Sequence, residues 1–470
     1  MNPAKSWIAL CCALLLGGCA TFSDDGGTRS VNDALAARGI KQPAPWIKND
    51  ADASRAGAEV HKLLAQPLGA DDAVRIALLN NRGLQAAYAG LGIAEADLVQ
   101  AGRLRNPGFS FGRTHRGETV EYERAFIFDL LGLLTMPLRT QIEGERFRLE
   151  QGRMAAAILQ VAADTRRAWI NAVAAQQSAT YAEQVQAAAE TAAELARRMA
   201  RAGNFSKLDQ AREQVFYADA TAQLARARQQ AQAAREQLTR MMGLWGGDTT
   251  YRLPGRLPDL PPSLRDMPDI EQQAMRRRLD VQDAMQDAAN IAGSLGLTRT
   301  TGYFSVLEAK YVRNSESGEP RQTGYEIELR LPIFDFGTAR NRRAEYSYMQ
   351  AVNRAADLAV RARSEVREAY GTWRTAWDVA RHYRDEVVPL RARISEETLL
   401  RYNGMLMSVF ELLAESRQQV ASVVNAIEAQ RDFWIADAML HLAINGKSPG
   451  AITAPGGMTR AAVPAAGAGH

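Results

Sequence analysis

Thr323-Gly324-Tyr325-Glu326-Ile327-Glu328-Leu329-Arg330-Leu331-Pro332-Ile333 alternates strictly: Tyr325, Ile327, Leu329 and Leu331 share one face, and Glu326, Glu328 and Arg330 the other. That period of two marks a strand with two unlike faces. Residues 120–130 nearly repeat it, with Val120, Tyr122, Phe126, Phe128 and Leu130 against Glu121, Glu123 and Asp129. Each run is about 11 residues, long enough for a tilted strand to cross a bilayer. Each has an upstream partner, residues 108–114 and 302–312, across polar loops at 114–119 and 313–322. Periodicity alone also fits a soluble hairpin with one face on a core. The absence of any later run of ~20 apolar residues favours a barrel over a helical span. Single-chain membrane barrels start at about 8 strands, and an open edge in lipid is not tolerated. Several copies must therefore each contribute a four-stranded arc, and the arithmetic alone leaves about 8, 12 or 16 strands open.

Outside the strands the chain is helical and reads as two related halves. Leu84-Gln85 is echoed by Val281-Gln282, residues 107–111 by 302–306, and Gly203 by Gly404. Separations of about 200 residues in one order point to a duplication, with a generic helical pattern as the alternative. Residues 139–200 contain no proline and would reach ~93 Å as one helix. The matching stretch, 338–402, carries Pro389, where a helix should kink or break. Helices this long must pack side by side. Two return helices show alternate steps of three and four: Leu208, Ala211, Val215, Ala218 and Ala222; and Phe410, Leu413, Arg417, Val420, Val424 and Ile427. Such steps form a coiled-coil seam, interrupted at Arg417, which must snorkel or face water. Residues 246–268 hold five prolines and connect the halves without a helix.

The N-terminus reads as an address. Lys5 precedes the apolar stretch 7–16, which is too short to span a bilayer. It ends Leu16-Gly17-Gly18-Cys19, which resembles a bacterial lipoprotein signal with acylation at Cys19; Ala20 resembles the outer-membrane-sorted class. A plain secretory signal is the alternative. Cys11 and Cys12 would leave with the signal, so no disulfide or cysteine metal site is expected in the body. Residues 21–32 read as a flexible tether. The 57 basic and 53 acidic residues are mixed along the chain, which argues against a nucleic-acid partner.

Enzyme chemistry finds little support. The five histidines have no metal-ligand spacing, and there is no Gly-x-Ser-x-Gly or phosphate loop. Gly90-Leu91-Gly92 reads as helix packing. No catalytic residue, cofactor or metal is expected. The functional candidates are the turns between long helices. Gly203 and Gly404 would each permit the reversal. Asp209 and Glu411 follow; they either form acidic rings at an entrance or stabilise helix N-termini. Met405 and Met407 suggest flexible protein contacts more than soft-metal binding.

These residues together carry a resemblance to the TolC-like outer-membrane efflux protein family, in its lipoprotein branch. Local matches are Asp72-Ala73-Val74 with Ala77-Leu78 and Asn80-Asn81, Leu104-Arg105-Asn106-Pro107, and Leu331-Pro332-Ile333-Phe334-Asp335-Phe336-Gly337 with Arg340. At the turns, Gly203 with Ser206, Leu208 and Asp209, and Tyr402 and Gly404 followed by Ser408, Val409 and Glu411, resemble the family's tip motif. There are departures: Asn81-Arg82 and Arg278-Leu279 stand where the family often has Asn-Pro or Arg-Pro, and residues 130–137 replace the Asp-Phe-Gly turn.

The expected fold is mainly α with a small β part. Long antiparallel helical hairpins form an α-helical barrel, four strands enter a shared transmembrane β-barrel, and the repeat is twofold. The expected domains are a signal at 1–18, a tether and equatorial segment at 19–70, repeats at 71–245 and 269–446, a connector at 246–268, and a disordered tail at 447–470. The resemblance implies a homotrimer with a 12-stranded barrel in the outer membrane, held also by lipid on Cys19. It implies a passive duct for efflux or secretion, joined to a periplasmic adaptor and an inner-membrane pump. Adaptor-contacting tips would be Gly203, Ser206, Leu208, Tyr402, Gly404, Ser408 and Val409; Pro332, Asp335 and Gly337 would turn barrel into tube. The rival reading is a lipid-anchored periplasmic scaffold. The cargo is not legible.

Overall fold

The computed structural model describes residues 21–40, 44–301, 306–329 and 337–449. Cys19 and the signal, Pro332, Asp335 and the tail from 450 lie outside the described residues. In chain order the elements are α1 (Thr28–Ala36), α2 (Asp50–Leu64), α3 (Ala70–Asn80), α4 (Arg82–Ala101), β1 (Gly108–Arg116), β2 (Thr119–Asp129), α5 (Leu130–Arg201) and α6 (Lys207–Met242). They continue with α7 (Ile270–Arg277), α8 (Leu279–Thr301), β3 (Leu307–Glu316), β4 (Gln322–Leu329), α9 (Thr338–His382), α10 (Val388–Asn403) and α11 (Val409–Asn445). The chain divides into two compact units, and each takes segments from both halves of the sequence.

The first unit comprises Met1–Trp46, Gln85–Ala157 and Leu279–Arg361. It holds one antiparallel sheet of order β1-β2-β3-β4. The two hairpins join through β2 and β3, where Phe126 faces Tyr311 and Arg124 faces Arg313. β3 lies further along the chain than the expected 302–312, and residues 313–316 belong to it rather than to a loop. Polar composition concealed this, because both ends of β3 alternate weakly. β2 passes straight into α5, whose helix begins nine residues before the expected start and contains Pro137. Asp129 explains the early start: its carboxylate accepts the Gly132 N–H at 2.7 Å, an N-terminal cap. Residues 21–32 are not all tether either. α1 starts at Thr28 and buries Val31 and Leu35, one turn apart on one face. Gly92 lies beneath the Trp46 ring, where a Cβ would meet Cη2 at 2.8 Å. Trp46 in turn stacks on the buried Tyr88.

The second unit comprises Ile47–Leu84, Ile158–Arg278 and Ala362–His470. Trp169, Leu68, Ile76, Leu238 and Met242 form one core cluster; Trp373, Trp377, Val366 and Phe433 form another. The proline-rich connector is strapped onto these helices. Trp377 Nε1 donates to Pro261 O at 3.1 Å, Trp434 Nε1 to Pro258 O at 3.0 Å, and Leu257 is buried. The helix breaks at Asn81 and Arg278 form without proline, each in extended backbone (ψ 113° and 120°). The Asn81 carboxamide oxygen accepts Leu84 N–H at 3.1 Å and so caps α4. Arg278 is fully buried, with its guanidinium 2.5 Å from Glu365. Before Pro389 the helix widens into a π turn at Tyr383–Val387 and then continues. The wider turn accommodates the missing donor and the ring, so the proline does not end the helix. Among the described residues no helix is long and apolar enough to cross a membrane.

Candidate functional site

The two helical turns share one construction. At the first, Asn204 N–H donates to Met199 O at 3.0 Å and Gly203 N–H to Ala200 O at 3.1 Å. This closes α5 with Gly203 in the left-handed region, φ 80°. Ser206 then caps α6, its Oγ accepting the Asp209 N–H at 3.1 Å. At the second turn Leu406 N–H donates to Arg401 O at 2.9 Å and Met405 N–H to Tyr402 O at 3.0 Å. Ser408 Oγ accepts Glu411 N–H at 3.3 Å, and Glu411 accepts Ser408 N–H at 3.0 Å, a reciprocal capping box.

Left-handed residue, cap and acid therefore fall at 203, 206 and 209, and again at 405, 408 and 411. The counterpart of Gly203 is Met405, with φ 57°, and not Gly404, whose φ is −79°. Gly404 closes the helix without using its conformational freedom. The expected equivalence of Gly203 and Gly404 is therefore off by one residue. A left-handed side chain costs about 1–2 kcal/mol. Met405→Gly is therefore expected to stabilise the second turn by about 1 kcal/mol, read as slower proteolytic nicking there. Unchanged or faster nicking would contradict this.

The second turn exposes apolar surface. Met405 is 93% and Leu406 82% exposed, and Leu400 is also exposed, as is Leu208 at the first turn. Beside it a groove of about 800 Å³ runs between α10 and α11, lined by Leu390, Ile394, Leu400, Met407 and Glu411. Tyr402 is half-buried, and Val409 opens α11. The Glu411 carboxyl is held below the usual range by the Ser408 amide and hydroxyl, so it stays ionised within its cap. Gly337, in the left-handed region at φ 74°, immediately precedes α9 and accepts the Asn341 N–H at 2.8 Å.

The α6 seam turns outward. Leu208, Ala211, Val215, Ala218 and Ala222 are exposed, whereas Glu213, Ala220, Leu224 and Leu238 are buried. The helix carries two stripes of small and apolar residues, and only one can face the rest of its unit. Arg417, which interrupts the α11 seam, reaches Glu213 on α6: Nη2 lies 3.1 Å from Oε1, and the guanidinium stacks 4.4 Å from the Phe216 ring. The Glu213 side chain is only 3% exposed. Desolvation pushes its pKa up, partly opposed by Arg417. No sequence pattern announced this pair, because its members lie in different halves of the chain.

The sheet register sorts its residues sharply. One face carries Phe109, Phe111, Phe126, Phe128, Tyr311, Tyr325 and Ile327, all exposed. The other carries Glu121, Glu123, Glu308, Glu326 and Glu328, with Lys310 paired to Glu328 at 2.8 Å. Among the described residues no group of three or more His, Cys, Asp or Glu could hold a metal ion.

No protein-family model matches the chain, and no curated protein is matched by its sequence. Solved structures do match. A membrane protein from Pseudomonas aeruginosa is 20% identical, with 83% of this chain and 94% of that one covered, at a TM-score of 0.69. The outer membrane protein VceC from Vibrio cholerae is 13% identical, covering 84% and 97%, at 0.66. The CmeC outer membrane channel of Campylobacter jejuni is 16% identical, covering 91% and 87%, at 0.61. At such identities the likeness is one of fold. The chain has the TolC-like fold of long helical hairpins and a four-stranded sheet.

Proposed function

We propose that this chain is a subunit of an outer-membrane channel of the TolC-like efflux family. Three copies close a 12-stranded barrel, and their helices form a duct across the periplasm. The observation that carries this reading is the two-faced sheet. Aromatic side chains are exposed on one face and carboxylates on the other, and both are satisfied only with lipid outside and water within. The likeness to solved outer-membrane channels supports it. Residues 1–18 are the signal, and Cys19 carries the lipid. The exposed apolar turn at Met405 and Leu406, with Leu208 of the first, meets a periplasmic adaptor. An inner-membrane pump supplies the energy, since the chain has no nucleotide motif. Asp209 and Glu411 stand at the entrance, each in the first turn of its helix, with Glu411 also completing the capping box with Ser408.

Acidic lumen walls favour cations over anions. The full-length protein in planar bilayers should therefore give stepwise, cation-preferring conductance. The preference should fall several-fold in Glu121→Gln/Glu326→Gln, on the scale expected for pore-lining charge. Absence of conductance from the assembled protein would favour the lipid-anchored scaffold instead.

A further inference from the structure

The outward face of the sheet is not uniformly apolar. Above the aromatic row Phe109–Phe126–Tyr311–Tyr325 comes the row Phe111–Arg124–Arg313–Thr323, and then Arg113 beside Tyr122. Three guanidiniums thus occupy two neighbouring rows on three adjacent strands, all exposed. Arg124 and Arg313 are direct cross-strand partners. Like charges so placed repel, because opposed side chains start only about 5 Å apart. The carboxylates that could neutralise them, Glu121, Glu123 and Glu308, alternate onto the opposite face. Two of the three lie against aromatic rings: Arg113 is 5.7 Å over Tyr122, and Arg124 6.0 Å over Phe111.

Height matters as much as charge. Exposed apolar side chains begin at Leu133 and Leu134 of α5, continue through Phe128 and Phe126, and stop at the arginine row. With strands rising about 3.3 Å per residue, the arginines fall at the upper edge of that band. That edge lies on the side of the hairpin turns Gly117 and Gly318, away from the helices. On the channel reading, on which this inference rests, it is the outer leaflet's headgroup level. A guanidinium facing lipid costs about 2–4 kcal/mol at the midplane and little at the interface. Three together, without an acid, call for an anion from the bilayer.

We propose that Arg113, Arg124 and Arg313 bind the phosphate groups of an anionic glycolipid in the outer leaflet. Planar guanidinium forks match phosphate oxygens bidentately, and the adjoining aromatics seat the first part of the acyl chains.

The test uses the full-length acylated protein incubated with lipid A bisphosphate, its dephosphorylated form, or inorganic phosphate. Retained lipid is counted by mass spectrometry after gel filtration. The wild type should retain the bisphosphate at least about tenfold better than the dephosphorylated lipid, as two charge-assisted contacts imply. Arg113→Gln/Arg124→Gln/Arg313→Gln should lose that preference, and single Arg124→Gln should weaken it. Equal retention of both lipids, an unchanged triple variant, or full displacement by millimolar inorganic phosphate would overturn the site. If the triple variant does not assemble, the two-lipid comparison on the wild type decides alone. Bilayer conductance of the same preparation reports separately on the channel reading, so the two can fail independently.

Discussion

Arg417→Met is expected to destabilise the protein by about 3–5 kcal/mol, because it strands a shielded carboxylate. Glu213 has its Oε1 on Arg417 and almost no exposed side-chain surface. In the native protein desolvation raises the Glu213 pKa while Arg417 lowers it. Without the guanidinium only the raising influence remains. An acid whose folded pKa is raised above its unfolded value loses stability as pH climbs through the interval between them. The deficit of Arg417→Met should therefore be smallest near pH 4 and largest at neutral pH. Glu213→Gln/Arg417→Met should recover most of it, since no buried charge is left unpaired. Thermal unfolding of the two single variants and the double variant between pH 4 and 8 checks this. Equal loss at both ends of the range would show that the pair acts by packing on Phe216 rather than by charge.

Asp283→Asn should act in the opposite direction. Asp283 of α8 lies directly against Gly152 of α5, and burial lifts its pKa to about 7. Arg153 and Arg38 pull the value down, while Asp280 and Glu150 push it up. The unfolded carboxyl titrates near 3.9. Between about pH 4 and 7 the native state thus holds the extra proton, and stability falls as pH rises through that window. The amide is nearly isosteric and never ionises. Its gain should be nil at pH 4 and on the order of 2 kcal/mol at pH 8, less than the full shift would give because water reaches part of the group. Melting curves of wild type and variant that run parallel across pH would reject the assignment.

What could be read from the sequence was what repeats within a few residues. Alternation at Tyr325, Ile327 and Leu329 against Glu326 and Glu328 gave both the strand and its two faces, because each side chain must choose one side of a pleat. The ends of strands were less legible: Arg313 and Asn314 look like loop residues and are held in β3 by pairing with Thr323 and Gln322. α1 was hidden because only Val31 and Leu35 mark its buried face. The α6 seam is left exposed by the single chain, because two stripes of small residues lie on that helix and its own unit covers the one holding Ala220 and Leu224. Met405 in a left-handed conformation has no sequence signal, since methionine rarely adopts it; the serine caps at Ser206 and Ser408 would have fixed the alignment. Glu213 with Arg417 and Asp283 with Gly152 depend on partners far along the chain, which periodicity cannot reveal. The arginines of the outward face were visible as letters but not as a row, since register alone brings Arg124 opposite Arg313.

The sheet runs in plain sequential order, with every neighbour antiparallel. Its two edges, β1 and β4, therefore point in opposite directions. An even count of strands gives each subunit matching parity: the β4 edge of one copy meets the β1 edge of the next antiparallel, whatever the number of copies. In the trimeric channel proposed above, nothing in the hydrogen-bonding of such a ring would set the count at three, so that choice would fall to the helices of the proposed duct and not to its barrel.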